Sequence, residues 1–277
     1  MKIGFTLDEK IFNKITQSEL LSYAKKLGVS SVEISPDKNI LPKNTYYEIA
    51  KLCSELEIDI NFHVPYFADS FLYEIMNFTE YKKEIKTKYE DLISMIVDIQ
   101  NIICKSSTLI IHGASYDDAK EKNTALYNTL NFLNWILNFL DNKNIDLNLA
   151  LETLNKNENV IGNSREDIQY NLNKFRGSKL GICLDICHDA FNYYPGKPPL
   201  NDDFLSNIIY CHIHGINIEK SISHISLKES DIDFKTYINF LIDKQYNNIL
   251  NLELLVSYCG ENYLNNLFGD IEFIRNF

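Results

Sequence analysis

The chain has 277 residues, a formal net charge of -11, 45% hydrophobic residues and 23% charged residues. That composition excludes a disordered chain and suits a globular protein able to bury a large core. The acidic balance argues against a broad phosphate-binding surface, because non-specific nucleic-acid affinity comes from Lys and Arg; bound cations would offset part of it, so whole-chain charge is a weak guide to a metal site.

No apolar run reaches the roughly 18 residues needed to cross a bilayer, and the opening MKIGFTLDEK goes directly into a strand-like segment, so the expected address is the cytoplasm with no membrane partner. Cys53, Cys104, Cys183, Cys187, Cys211 and Cys259 are scattered through apolar segments. They read as reduced and mostly buried, not as a disulfide scaffold or zinc ribbon.

In chain order, short β-like runs alternate with longer amphipathic ones. Strand 2–6 precedes a helix over 18–27, strand 31–34 a helix over 46–56, and strand 59–63 a helix over 81–104. Strand 108–112 precedes a helix over 124–140, and strand 147–152 a helix over 164–175, where Asn163, Ser164 and Glu166 resemble a capped helix start. Strands 180–185 and 208–212, a helix over 234–244 and strand 249–254 complete the set. Eight strands alternating with helices predict an α/β (β/α)8 barrel, a fold of about 250 residues, as a single domain over 1–277. Loops 35–42 and 193–203 hold most of the prolines and leave C-terminal strand ends, the face on which barrels bind substrate.

All six histidines fall at or just beyond a predicted strand end. His63 ends DINFH, His112 ends TLIIH, His188 follows GICLDIC, His212 and His214 close IIYCHIH, and His224 lies in the loop beyond. Glu152 in LALET, Asp185 in GICLD and Glu253 in LNLEL occupy the same level. A carboxylate there costs several kcal/mol unless paired, hydrogen-bonded or bound to a cation. With few Lys or Arg nearby, the set predicts a divalent ion: Zn, Mn, Co or Mg. His212 and His214, two apart, point to one side of a strand, with His214 a step nearer solvent, so His212 is the expected ligand and His214 a substrate or supporting group. Cys183 and Cys187 flank Asp185 but read as core.

The segments HVPY (63–66), LIIHG (109–113), LALET (149–153), GICLDICHDAF (181–191), CHIHGIN (211–217), HISLKESDIDF (224–234) and LNLELL (251–256) resemble the xylose isomerase-like barrels, which include sugar phosphate isomerases and epimerases and endonuclease IV. The resemblance to the epimerases implies one divalent ion on Glu152, Asp185, His212 and Glu253, with the two glutamates exchanging a proton beside a metal-polarised carbonyl. The resemblance to endonuclease IV implies further ligands at His63, His112, His188 and His224, and sets Tyr66 against DNA. Its third ion also takes an Asp two residues before the last His, a position held here by Ile222. One or two ions per chain are therefore expected, and a third is not.

Three functions follow as expectations. The favoured one is an isomerase or epimerase acting on a sugar, sugar phosphate or related polyol. The second is an endonuclease IV-like zinc phosphodiesterase cleaving DNA at apurinic sites, set lower because the chain is acidic and loop 35–42 lacks a basic cluster. The third is a non-catalytic barrel that binds a metal or metabolite. Oligomer formation stays open.

Overall fold

The computed structural model describes residues 1–36, 41–65, 73–193, 197–198, 201–220 and 222–277. Among the described residues ten strands are formed: β1 (Lys2–Thr6), β2 (Ser31–Ile34), β3 (Asp59–His63), β4 (Ser107–Ile111), β5 (Leu147–Glu152), β6 (Leu180–Asp185), β7 (Ile208–Ile213), β8 (Gly215–Asn217), β9 (Ile222–Ile225) and β10 (Ile249–Leu252). All but β8 and β9 close into one barrel in the order β1-β2-β3-β4-β5-β6-β7-β10, and every neighbouring pair is parallel. The expected barrel is the one observed.

Strand ends moved by small amounts. β4 stops at Ile111, so His112 lies one residue beyond it, and β10 stops at Leu252, with Glu253 one beyond. An antiparallel hairpin, β8–β9, was not anticipated; it places His224 in a strand where a loop was expected. Its runs of three and four residues are too short to show a periodicity. The C-terminal helix Tyr263–Arg275, absent from the expected elements, returns over β1 and β10.

Helix starts follow local chemistry. Thr16 accepts from the Glu19 amide at 3.2 Å while Glu19 accepts from the Thr16 amide at 3.1 Å, a reciprocal cap for helix Gln17–Lys26. Ser164 accepts from the Asp167 amide at 3.2 Å, so helix Arg165–Lys174 begins where the sequence placed it; such caps contribute about 1 kcal/mol each. Helix Lys82–Ile103 buries Ile85, Tyr89, Leu92, Ile93, Ile96, Ile99 and Ile103, one stripe at three- and four-residue spacing.

The barrel has two apolar regions, and strand periodicity assigns residues between them. Leu109, Ile111, Leu149, Leu151, Ile182, Leu184, Cys211, Ile213, Leu250 and Leu252 belong to the large core between strands and helices. Ile110, Ala150, Cys183 and Tyr210 form a separate cluster inside the barrel. Side chains alternate across a strand, so residues two positions further along from the inner set also point inward, at the C-terminal mouth. Those residues are His112, Glu152, Asp185 and His212.

All six cysteines are free; Cys53, Cys183, Cys187 and Cys211 are buried, Cys259 is half-buried and Cys104 is exposed. Among the described residues, no helix is long and apolar enough to cross a membrane.

Candidate functional site

The inward positions continue around the mouth as Glu33 on β2, His63 on β3, His214 after β7 and Glu253 after β10. Glu33, His63, Glu152, Asp185, His188, His212 and His214 are buried, while His112, His224 and Glu253 are partly exposed toward the opening. Residues from seven of the eight barrel strands thus meet at one level.

Several imidazoles have one ring nitrogen fixed by an acceptor, which leaves the other for the cavity. His63 Nδ1 lies 2.7 Å from the Val64 carbonyl, so it carries the proton, and Nε2 faces Glu152 Oε2 at 3.1 Å. His212 Nε2 lies 2.8 Å from Glu33 Oε2, and its Nδ1 faces Glu152 Oε1 at 2.9 Å and Glu253 Oε2 at 3.3 Å. His224 Nδ1 lies 3.1 Å from the Glu253 carbonyl. This arrangement, a proton-bearing nitrogen held by an oxygen and a lone pair aimed inward, is how proteins orient metal-binding histidines.

Glu152 is the hub. Its Oε2 meets His63 and His112, the latter at 3.0 Å, while its Oε1 meets His212. Potential ligand atoms of His63, His112 and Glu152 lie within 4.8 Å of one another, as do those of Glu152, Asp185, His212 and Glu253. The four residues expected as ligands are therefore brought together, and His63 and His112 meet the second oxygen of the same carboxylate.

The donor set fits a divalent cation. Asp185 Oδ2, Glu253 Oε2, His188 Nδ1 and His214 Nε2 are buried and make no hydrogen bond among the described residues. Yet His214 Nε2 and His188 Nδ1 stand 3.2 and 3.5 Å from Asp185 Oδ2, and His224 Nδ1 stands 3.7 Å from Glu253 Oε2. Inward-facing oxygens and imidazole nitrogens close together without hydrogen-bond geometry are placed as ligands of a shared ion would be.

Electrostatics sharpen the contrast between the carboxylates. Burial opposes ionisation of Glu152, but His212 together with hydrogen bonds from His112, His212 and His63 holds it well below the usual carboxylate range. Burial likewise opposes ionisation of Asp185, and His188 and His214 outweigh it and lower its pKa. For Glu253 burial prevails over the attraction of His212, with help from Glu152 and Glu33, and raises its pKa to about 7. Burial disfavours a charged His63, yet its bond to Glu152 and the surrounding carboxylates raise it to about 9.

His188, His214 and His224 form a further group within 4.8 Å. His188 follows from the cap of helix Ile186–Asn192, where Asp185 Oδ1 accepts from the His188 amide at 2.7 Å. His224 sits at φ 57, a left-handed conformation uncommon outside glycine, with its ring 4.1 Å from that of His214. The expectation that His214 lies nearer solvent than His212 is corrected: both are fully buried, because hairpin β8–β9 covers His214. Cys183 also lies near Glu152 and His212, but burial pushes its thiol well up, which favours the neutral core role. Tyr66 lies outside the described residues.

Glu33 was missed. It ends the inward row of SVEI, fully buried, with Thr6 Oγ1 donating to its Oε1 at 3.0 Å and His212 on its Oε2. The signal was present, since a carboxylate in an apolar strand had already singled out Glu152 and Asp185. A second missed group is Asp189, buried beneath Arg165, whose Nε donates at 2.9 Å, and Tyr237, whose hydroxyl donates at 2.8 Å.

The mouth opens into a cavity of about 650 Å³ lined by residues that include Glu33, His63, His112, Glu152, His188, His224 and Glu253. That is the size of sites that take small-molecule ligands.

A family model described as xylose isomerase-like TIM barrel matches residues 21–276. By sequence, the chain is 26% identical over 253 residues to a protein named probable endonuclease 4 from Mycoplasma mycoides subsp. mycoides SC, covering 84% of this chain and 81% of that one. By structure, it resembles a 3-keto-D-glucoside 4-epimerase from E. coli, with a TM-score of 0.73, 14% identity and full coverage of both chains. It also resembles an AP endonuclease of family 2 from Brucella melitensis, with a TM-score of 0.64 and 11% identity over 96% of this chain and 99% of that one. The protein, with its inward-facing ring of imidazoles and carboxylates, belongs to the xylose isomerase-like TIM barrel family.

Proposed function

We propose that the protein is a metal-dependent phosphoester hydrolase, in which His63, His112 and Glu152 would hold one divalent ion and Glu152, Asp185, His212 and Glu253 another. The observation that carries this is the division of Glu152: one oxygen faces His63 and His112, the other faces His212. A single-ion centre would use Glu152, Asp185, His212 and Glu253 and leave His63 and His112 without a task. Two sets sharing one carboxylate match the two-ion arrangement used for in-line displacement at phosphorus. The sequence likeness to a probable endonuclease 4 supports the same choice.

Divalent ions bound there would supply Lewis acidity at a phosphoryl oxygen and make water a competent nucleophile near neutral pH. The protein's own part is positional. Glu33 fixes the ring of His212, the Val64 carbonyl fixes His63, and Asp185 is held by the His188 amide. Glu253, which burial makes costly to ionise in the metal-free protein, completes the set that would hold an ion beside His212.

The test uses Mn- or Zn-loaded protein with bis(4-nitrophenyl) phosphate. Hydrolysis that chelation abolishes and His112→Ala reduces at least a hundredfold supports the proposal. Loaded protein that is inert toward the diester rejects it.

A sugar isomerase or epimerase is the second reading, favoured by one observation: Glu152 Oε1 and Glu253 Oε2 both face His212 Nδ1, at 2.9 and 3.3 Å, as a pair of proton-transferring glutamates would. Ketoses incubated with the loaded protein in deuterated water would then exchange the hydrogen beside the carbonyl, and His112→Ala would leave that exchange largely intact.

A further inference from the structure

Beyond the ring of ligands, the cavity wall has a definite chemistry. Its rim carries Asp8, Glu9 and Glu158, and its only basic residue among the described lining is Lys10. Asp8 is occupied, accepting from the Lys10 amide at 3.0 Å and the Val256 amide at 2.8 Å. Glu9 accepts from Tyr46 and from its own backbone, yet its Oε1 is buried without a hydrogen bond among the described residues, and burial raises its pKa to about 7. Glu158, exposed at the rim, has its pKa raised by partial desolvation and lines both this cavity and the adjoining cleft beside His112. The rest of the wall is neutral: Asn13, Ser35, Asn155, Ser223 and Ser257 between Leu7, Phe12, Leu41, Leu154 and Leu255.

Guanidinium groups, the usual partners of a second phosphate, are committed elsewhere. The chain has three arginines. Arg165 is paired with buried Asp189, Arg176 with Asp203, and Arg275 lies against Gly28 ahead of β2, at the opposite end of the barrel.

Resting on the hydrolase reading, we infer that the substrate is a compact phosphodiester whose part beyond the reacting phosphorus is uncharged or cationic. That part is rich in hydroxyl or amine donors and carries no further phosphate. The donors meet Glu9, Glu158 and the neutral Asn and Ser groups, and the apolar residues cover the carbon skeleton. A second phosphate would face carboxylates with no guanidinium to receive it. A duplex, with one charge per 1.7 Å of axis, is the extreme of what such a mouth rejects.

Calorimetric titration of Mn-loaded protein with thymidine 5′-monophosphate and thymidine 3′,5′-bisphosphate isolates the second phosphate without needing turnover. We expect the bisphosphate to bind about tenfold more weakly, a modest repulsion for one added anion beside two carboxylates. Glu9→Gln and Glu158→Gln should each narrow that gap. Equal or tighter binding of the bisphosphate overturns the inference, and so does binding of neither nucleotide. Hydrolysis of bis(4-nitrophenyl) phosphate is read separately: if it occurs while the bisphosphate binds as well as the monophosphate, the hydrolase reading stands and the substrate class falls.

Discussion

Glu33→Gln tests the site through the residue that holds the ring of His212. Glu33 is fully buried, accepts from Thr6 Oγ1 at 3.0 Å and holds His212 Nε2 at 2.8 Å. The amide is nearly isosteric, so its oxygen can keep the His212 bond while its NH2 meets the Thr6 hydroxyl, which can accept as well as donate. What is lost is the charge. A hydrogen bond to a charged partner contributes about 1.5–3 kcal/mol and a neutral one about 0.5–1.5, so the loss is about 1–1.5 kcal/mol. Most of it should reach the cation through the lowered basicity of His212 Nδ1, since oriented outer partners are worth about 10- to 100-fold in metal affinity. Competition with a fluorescent chelator at pH 7 should therefore show Zn or Mn held at least tenfold more weakly, with the melting temperature of metal-free protein little changed. Affinity within twofold of the unsubstituted protein would mean that His212 does not ligate through Nδ1, and the proposed four-ligand centre would fail.

If Glu152 serves two ions, His112→Ala should lower bound metal from two equivalents to one after desalting, as counted by elemental analysis; two retained equivalents would show that His112 is no ligand. Metal-free protein should lose stability with rising pH, because His63 has a folded pKa of about 9, above an unfolded value of about 6.5. That contribution, about 3 kcal/mol, is fully present below pH 6.5 and disappears as pH rises through 9; thermal melts of chelated protein should show the decline, and His63→Gln should flatten it. Gly113→Ala should destabilise the fold by about 2 kcal/mol or more in urea, because an added Cβ would overlap the backbone carbonyl of Ile161, which cannot give way as a flexible side chain could. A change under about 0.5 kcal/mol would show that this backbone contact is loose. Ile222→Asp should add one metal equivalent by placing a carboxylate on β9 two residues from His224, beside the His188, His214 and His224 group; unchanged stoichiometry would show that the three imidazoles bind no ion even with an acid supplied.

The barrel was legible because its signal is repeated. A single run such as LALE is ambiguous, but eight such runs at regular intervals leave little room for another architecture, and the apolar residues between them fall on the side facing the helices. The ligand ring was legible for the same reason, since polar residues at the ends of apolar strands must be explained by a partner. Glu33 escaped because the segment was read only as a strand; applying the inward parity of Ser31 would have found it. Hairpin β8–β9 and the burial of His214 were not legible, because short irregular segments are set by tertiary contacts and not by local preference. Where Asp185 both caps helix Ile186–Asn192 and sets its other oxygen beside His188 and His214, the sequence shows a carboxylate after an apolar run but not that it does two tasks.

Glu152 also indicates how one barrel can host two chemistries. Its Oε1 side, with His212 and Glu253, has the donors a one-ion centre would need. The Oε2 side offers a second set of donors, because His63 and His112 project from β3 and the end of β4 toward the same oxygen. Converting a one-ion centre to a two-ion centre therefore needs no change of fold, only imidazoles at two inward positions on adjacent strands. Both positions are filled here, and buried His63 has its ring already oriented by the Val64 carbonyl. A buried imidazole held in that way against a shared carboxylate is hard to account for as packing, and this weighs the balance toward chemistry at phosphorus.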